Sequence, residues 1–359
     1  MDHQLRRRAL GARLEDLQVD ALYVTRRPNV RYLTGFTGSA GQVLVAADAS
    51  VFSTDGRYTE QSRHEVPDIE RETYGGGVKA SQLLAAHCER LGIERLGFQA
   101  DELTVAAHGR LSEALDGVEM VGVDDLVGEL RWIKDDEELH LLRRAQAATD
   151  DAFERILEAL AVGVTERQIA LELEHAMRRD GSDGLAFDSI VAFGESAAEP
   201  HHEPGHRALE EGDVIKLDFG AKVGGYHADM TRTVAFGEPA AELRKIHDIV
   251  RQSQQAGIDA VRAGVSGGEV DAVARAVIAD AGYGERFTHG LGHGVGLEVH
   301  EGPSVGHEID DVLPVGAVVT VEPGIYVPGL GGVRIEDMVE VTDDGCRVIG
   351  TASRELIEL

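Results

Sequence analysis

Four acidic residues stand where an acid is costly. Asp218 closes the apolar run VIKLD and Glu322 closes VVTVE, while Asp229 and Glu336 follow in GGYHADMTRTV and VRIEDMV. A strand buries what its inward positions carry, and an unpaired carboxylate there loses hydration that nothing replaces. Asp229 comes eleven residues after Asp218, an interval that suits a tight hairpin setting the two side by side. Arg334 and Glu336 are two apart and so share one face of an extended chain. If the four acids converge, they repel one another unless cations lie among them. A pair of divalent metals resolves the repulsion and supplies chemistry. An oxygen-rich set with one imidazole fits Mn2+ or Co2+ and, less selectively, Zn2+ or Fe2+. His293, in THGLGHGVGLEVHEGP, is the candidate imidazole, and the glycines around it allow close backbone approach.

Each residue taken singly has a plainer explanation. An Asp at a strand end commonly caps a turn, Asp229 could pair with Arg232, Glu336 could be an edge charge answered by Arg334, and a carbonyl could satisfy His293. Independent structural accidents do not, however, produce a matched carboxylate pair in each of two segments with a histidine between them. Three further histidines are placed to act on a ligand. His300, seven beyond His293, could point into the same cleft and bond a substrate carbonyl or a transition-state oxygen. His289 precedes His293 by four, though this glycine-rich run reads as loop and strand, and His201 lies in EPHHEPG ahead of the first acidic strand. Its neighbours His202 and His206 read as exposed polar residues.

The elements that position these residues show a faint repeat. TERQIALELEHAMRRDG opens with Thr165 and Gln168 in capping-box spacing, and SGGEVDAVARAVIADAG opens with Ser266 and Glu269 in the same spacing. Glycine-rich loop and then strand follow each helix. EGDVIKLDFG lines up with VGAVVTVEPG, which sets Asp218 opposite Glu322, and each is followed by an acid beside a methionine, in YHADM and RIEDM. Two similar halves that deliver two carboxylates each predict an α/β unit with pseudo-twofold symmetry and a shared central site. A long helix, starting near Asp135 or Asp136, precedes them, with Leu139, Leu142, Ala145, Ala152, Phe153 and Ile156 at helical spacing. The first 130 or so residues alternate strand-like VDALYVT and GQVLVAADASVFSTD with helical ASQLLAAHCERLG and TVAAHGRLSEAL, forming a smaller α/β domain. Within it, RRPNVRYLTGFTGSAG is rich in turn formers and reads as a surface loop. The domains expected are residues 1–133 and 134–359.

With 359 residues, 43% hydrophobic, the chain is long enough for two domains with real cores. Its 64 acidic against 35 basic residues give a net charge of -29, which repels nucleic acid phosphates and anionic lipid and suits a cation-binding function. No apolar run approaches the roughly 20 residues of a membrane span. Cys88 and Cys346 lie far apart in no metal-binding pattern, and MDHQLRRRALGARLEDL lacks the apolar core of a secretory signal, so the expectation is a cytoplasmic protein.

The segments LDFGAKVGGYHADMTRTV, FTHGLGHGVGLEVHEGP, VVTVEPGIY and GGVRIEDMV closely resemble the metallopeptidases of pita-bread fold: aminopeptidase P, prolidase and methionine aminopeptidase, with creatinase as a non-peptidase relative. The resemblance implies metal ligands at Asp218, Asp229, His293, Glu322 and Glu336, with Asp229 and Glu336 touching both ions. It also implies substrate-side histidines at His201 and His300, the further histidine of the glycine-rich motif at His289, and at Arg334 an arginine that orients a bridging carboxylate. NVRYLTGFTGSAG and STDGRYTEQS are similar to the extra N-terminal domain of aminopeptidase P, prolidase and creatinase, which favours the Xaa-Pro branch. By the same resemblance, a creatinase-like N-terminal domain precedes a pita-bread catalytic domain, and the protein is a cytoplasmic homodimer with two divalent ions, Mn2+ foremost. Its substrates would be short peptides with proline second, including dipeptides. Glu322 would move protons toward the departing proline nitrogen. One departure is EPHHEPG, more charged than is usual after that histidine. The alternatives are a creatinase-like C–N hydrolase of a small guanidino compound, against which the intact ligand set counts, and a non-catalytic binding protein on the same scaffold.

Overall fold

A computed structural model describes residues 1–179 and 181–359, which divide into two units, Met1–Arg131 and Trp132–Leu359. The first unit is built on a six-stranded mixed sheet in the order Glu70–Tyr74, Ser50–Asp55, Gly41–Ala46, Ala21–Val24, Arg95–Gln99, Glu119–Val123. Ala21, Tyr23, Leu44 and Leu96 pack against Leu84 and Cys88 of the helix Ala80–Leu91 and Leu111 of the helix Val105–Ala114. The α/β reading of this part therefore stands.

The reading of RRPNVRYLTGFTGSAG as surface loop holds for residues 35–40 and fails for the part before them. Residues Arg27–Thr34 form a helix in which Val30, Tyr32 and Leu33 are buried. Pro28 falls in the first turn, where a missing N–H removes no helical bond, and Gly35, at φ 80°, ends the helix in the left-handed conformation. Asn29, which looked like a turn former, is a buried link: its amide donates to Asp125 at 3.1 Å and its carbonyl accepts from Arg131 at 2.6 Å.

The second unit opens with the helix Asp136–Leu157, started by a reciprocal cap in which Glu138 N donates to the Asp135 carboxylate and Asp135 N to Glu138, both at 2.9 Å. Two halves of matching order come next. In the first, the helix Glu166–Arg179 precedes the antiparallel strands Ile190–Phe193, Val214–Phe219 and Met230–Ala235. In the second, the helices Ala241–Ala260 and Gly267–Asp280 precede a five-stranded sheet in the order Glu301–Val305, Gly292–Gly294, Val318–Val321, Asp337–Val341, Cys346–Val348. Both capping boxes read from the sequence are present, at Thr165 with Gln168 and at Ser266 with Glu269.

Strand alternation decides which side chains these halves offer to the centre. Ile215, Leu217 and Phe219 pack with Phe153, Ile169 and Leu173, which leaves Lys216 and Asp218 on the opposite face. In the matching strand, Val319 and Val321 pack with Ile246, Val250 and Ala274. The same rule separates two adjacent acids. Asp337 is paired in register with Val321 and faces away from the cleft, where it accepts from Arg232 at 2.6 Å, Arg354 at 2.7 Å and Gln254 at 2.7 Å. Glu336, one residue earlier, turns the other way. The letter-for-letter match of YHADM with RIEDM would have set Asp337 against Asp229, and the pleat selects Glu336 instead.

The Arg232–Asp337 pair is all but dry, its side chains 3% and 1% exposed. Asp337→Asn leaves the guanidinium's charge buried and uncompensated, so it should lower unfolding free energy in urea by about 3 to 5 kcal/mol. A loss below about 1 kcal/mol, the worth of a surface pair, would contradict this reading.

Candidate metal centre

The acids sit at strand termini because an acid inside either apolar strand would have no partner. Asp218 is the penultimate residue of Val214–Phe219, Asp229 immediately precedes Met230–Ala235, Glu322 immediately follows Val318–Val321, and Glu336 immediately precedes Asp337–Val341. His293 is central in the short strand Gly292–Gly294, where a Cβ on Gly292 would collide with the Thr320 carbonyl. Candidate donor atoms of Asp218, Asp229 and Glu336 lie within 4.8 Å of one another, as do those of His293, Glu322 and Glu336, and those of Asp229, His293 and His300. Glu336 and Asp229 each belong to two of these groups.

Neutral and cationic groups hold the acids in place. Thr231 donates to Glu336 at 2.6 Å and accepts from Arg334 Nε at 2.9 Å. The Arg334 guanidinium pairs with Asp218, and its remaining nitrogen donates to Tyr326 Oη at 2.8 Å and to the Pro200 carbonyl at 3.3 Å. It thus reaches Glu336 only through Thr231, which stands between them. Arg232, the plain alternative partner for Asp229, is taken by Asp337.

The histidines divide by what their nitrogens do. His293 Nδ1 bonds the Gly294 carbonyl at 3.1 Å, which leaves Nε2 in the cleft, 3.3 Å from Glu322 and 3.6 Å from Asp229. A carbonyl on Nδ1 leaves Nε2 as the nitrogen that can bind a metal, once it gives up the proton it shares with Glu322. His289 uses both nitrogens, one on the Gly290 carbonyl and the other on Tyr326 Oη, each at 2.8 Å. The His300 ring lies edge-on to that of His293, centroids 4.3 Å apart. His202 faces elsewhere and bonds Glu166 and Glu199 at 2.9 and 2.8 Å.

Burial, reinforced by the other carboxylates, pushes Asp229 and Glu336 well above the ordinary acid range despite Arg334. Burial opposes ionisation of Glu322 too, but the hydrogen bond and charge of His293, with His289 and Arg334, outweigh it and hold Glu322 at about 2. Burial would lower His293, and Glu322 raises it instead. His300 is lowered by burial and by His293 beside it. Asp218 Oδ1 is buried with no hydrogen-bond partner. Crowded acids, an orphaned carboxylate oxygen and an imidazole nitrogen aimed among them make a donor set that fits divalent cations.

The centre lines a cavity of about 390 Å³. Its walls include Phe187, Ile190, Pro200 and Val299, together with His201, His289 and His300.

Residues 140–343 match the model of metallopeptidase family M24, and residues 6–133 match the creatinase/prolidase N-terminal domain. The chain belongs to the M24 metallopeptidase family. The M24 chain is similar along its whole length to an Xaa-Pro dipeptidase from Bacillus anthracis, with 41% identity, TM-score 0.97 and 100% of each chain covered. An X-Pro aminopeptidase from Thermotoga maritima MSB8 shares 38% identity at TM-score 0.90, over 97% of this chain and 100% of its own. An Xaa-Pro dipeptidase from Pyrococcus furiosus is 33% identical over 96% of this chain and 97% of its own. The fold expected of the M24 chain is thereby established, a creatinase-like α/β domain followed by a pita-bread domain. Among the described residues, no helix is long and apolar enough to cross a membrane.

Three residues of the M24 centre escaped the sequence reading. Thr231 was within reach, since it stands two beyond Asp229 in DMT and so shares its face. Tyr326 had a weaker signal: it reaches Arg334 because Gly324 has no side chain to block its hydroxyl. Lys216 shares the face of Asp218 by the same alternation, yet a lysine in an apolar strand reads as an edge charge until its partners are seen.

Raised acids give a signed pH prediction. Between the ordinary carboxylate pKa near 4 and the raised folded values, the native metal-free chain holds more protons than the unfolded chain, so this contribution to stability falls as pH rises. In chelator, the double variant Asp229→Asn, Glu336→Gln should therefore melt above the parent, by a margin that widens toward neutral pH. Added Mn2+ should reverse the order by stabilising only the parent. A parent that melts above the double variant in chelator at neutral pH would show that these acids do not repel one another.

Proposed function

We propose that the second unit hydrolyses the peptide bond before proline in short peptides, as an Xaa-Pro aminopeptidase or dipeptidase dependent on two divalent ions, with Mn2+ the first choice. The observation that carries this is the convergence of four carboxylates and Nε2 of His293 on one cavity. Relatives matched over nearly the full chain that are named Xaa-Pro dipeptidase or X-Pro aminopeptidase support the substrate class.

Asp218 and Asp229 would hold one ion and His293 and Glu322 the other, with Asp229 and Glu336 reaching both. When bound, such ions supply Lewis acidity and make water nucleophilic at neutral pH. Glu322, an ionised carboxylate at the cleft, is suited to accept the attacking water's proton and pass it to the departing proline nitrogen. His300 and His201 would donate to the carbonyl oxygen as it gains charge, and the lowered pKa of His300 keeps it neutral at pH 7 with one N–H to give. His289, through Tyr326, steadies Arg334, which in turn orients Asp218 directly and Glu336 through Thr231. The apolar walls Phe187, Ile190 and Val299 suit a pyrrolidine ring, whose tertiary amide offers no N–H to grip. A cytoplasmic homodimer is in keeping with the family resemblance, and sedimentation at micromolar concentration reads its stoichiometry.

The test is a substrate panel with Mn2+ and with chelator, comparing an Xaa-Pro dipeptide, an Xaa-Pro tripeptide, a Met-Ala peptide and creatine. Turnover of the Xaa-Pro substrates alone, lost in chelator and regained with Mn2+ or Co2+, is expected. Preferential cleavage of Met-Ala, turnover of creatine, or full activity in protein shown metal-free by elemental analysis would contradict it. If His300 bonds oxygen chiefly in the transition state, His300→Ala should lower kcat about 10²- to 10³-fold with metal content unchanged. Loss of an ion in that variant would make His300 a ligand instead.

A further inference from the structure

Lys216 lies on the cleft face of Val214–Phe219, two residues before Asp218, and is wholly buried at 0% exposure. No catalytic step proposed for the site uses it. Its ammonium donates to three carbonyls of one loop, those of Ala197 at 3.3 Å, Glu199, and Pro200 at 3.2 Å. An ammonium has three N–H groups, and these acceptors match them one for one. The Pro200 carbonyl also accepts from Arg334, so the loop is tied to the guanidinium that holds Asp218. The next residue is His201, on the cavity wall. Beyond it, His202 anchors the chain to the buried Glu166.

A buried charge is a poor source of stability, and an apolar side chain of like volume commonly serves as well or better. What an apolar residue cannot do is gather three carbonyls and fix the chain that ends in His201. We propose that Lys216 is a positioning residue that sets the main chain of residues 197–200 and so presents His201 to the substrate. The proposal rests on the Xaa-Pro peptidase reading, in which His201 stands beside the scissile bond. It concerns loop geometry: of Lys216 and His201, only His201 touches the substrate.

The test is a double-mutant cycle on the full-length protein, with Lys216→Met and Lys216→Gln made in the parent and in His201→Ala. The measurements are kcat and KM on an Xaa-Pro dipeptide, metal per chain, and hydrogen exchange of the amides of residues 197–199, 201 and 202 without substrate. Lys216→Met should lower kcat about 10-fold or more with KM within about 2-fold, and should cost less than about 2-fold once His201 is gone, the non-additivity of residues acting as one unit. Lys216→Gln, which keeps two N–H donors, should recover part of the loss. Exchange across 197–202 should quicken in Lys216→Met at unchanged metal content. Equal costs in both backgrounds, a lost ion, or unchanged exchange would overturn the proposal, as would failure of both variants to fold, which would assign Lys216 to stability. A parent inactive on every Xaa-Pro substrate would instead overturn the functional reading, and the exchange measurement would still decide whether Lys216 orders the loop.

Discussion

Negative charge brought together out of water is the constraint around which the second unit is arranged. Asp218, Asp229, Glu322 and Glu336 come from both halves of the unit and meet at one cavity, three of them under 10% exposed. In a metal-free chain burial and the neighbouring carboxylates push Asp229 and Glu336 well above the ordinary acid range. Such a cluster persists because the rest of the fold over-determines it. The apolar faces of both strand sets pack outward against helices, and their opposite faces have nowhere to point except toward one another. Destabilising groups held by a rigid scaffold are what a site that binds cations tightly requires.

The groups around the acids have a division of labour set by their hydrogen bonds. Arg334 supplies the buried counter-charge, but to Asp218, and Thr231 relays its position to Glu336. Tyr326 joins Arg334 to His289, so a histidine with no nitrogen to spare steadies the arginine. His293 differs in a single bond: its Nδ1 is on a carbonyl and its Nε2 is open to the cleft. The chemistry expected of each ring is set by which nitrogen the backbone occupies.

Much of this was legible in the sequence because strands write their geometry plainly. Apolar runs that close on an acid, repeated in two segments with repeated capping boxes, were enough to predict two halves and a shared centre. What was not legible depended on tertiary partners. Glu336 is legible from its two-residue spacing to Arg334, whereas the buried partners of Asp337, namely Arg232, Gln254 and Arg354, are not. The first half of RRPNVRYLTGFTGSAG reads as loop because proline and asparagine count as turn formers, until Pro28 proves to sit in a first helical turn and Asn29 in a buried network. Lys216 is silent because its acceptors are main-chain carbonyls of a separate segment, and Tyr326 because its donor, Arg334, is met only once their two short strands pair.

The central claim is that this charge cluster exists to hold two cations. The direct measurement is diffraction from Mn2+-soaked crystals on either side of the manganese absorption edge. Two anomalous peaks about 3.5 to 4 Å apart are predicted, one against Asp218 and Asp229 and the other against His293 and Glu322, with Glu336 reaching both. A single peak, or peaks away from these five side chains, would contradict the account.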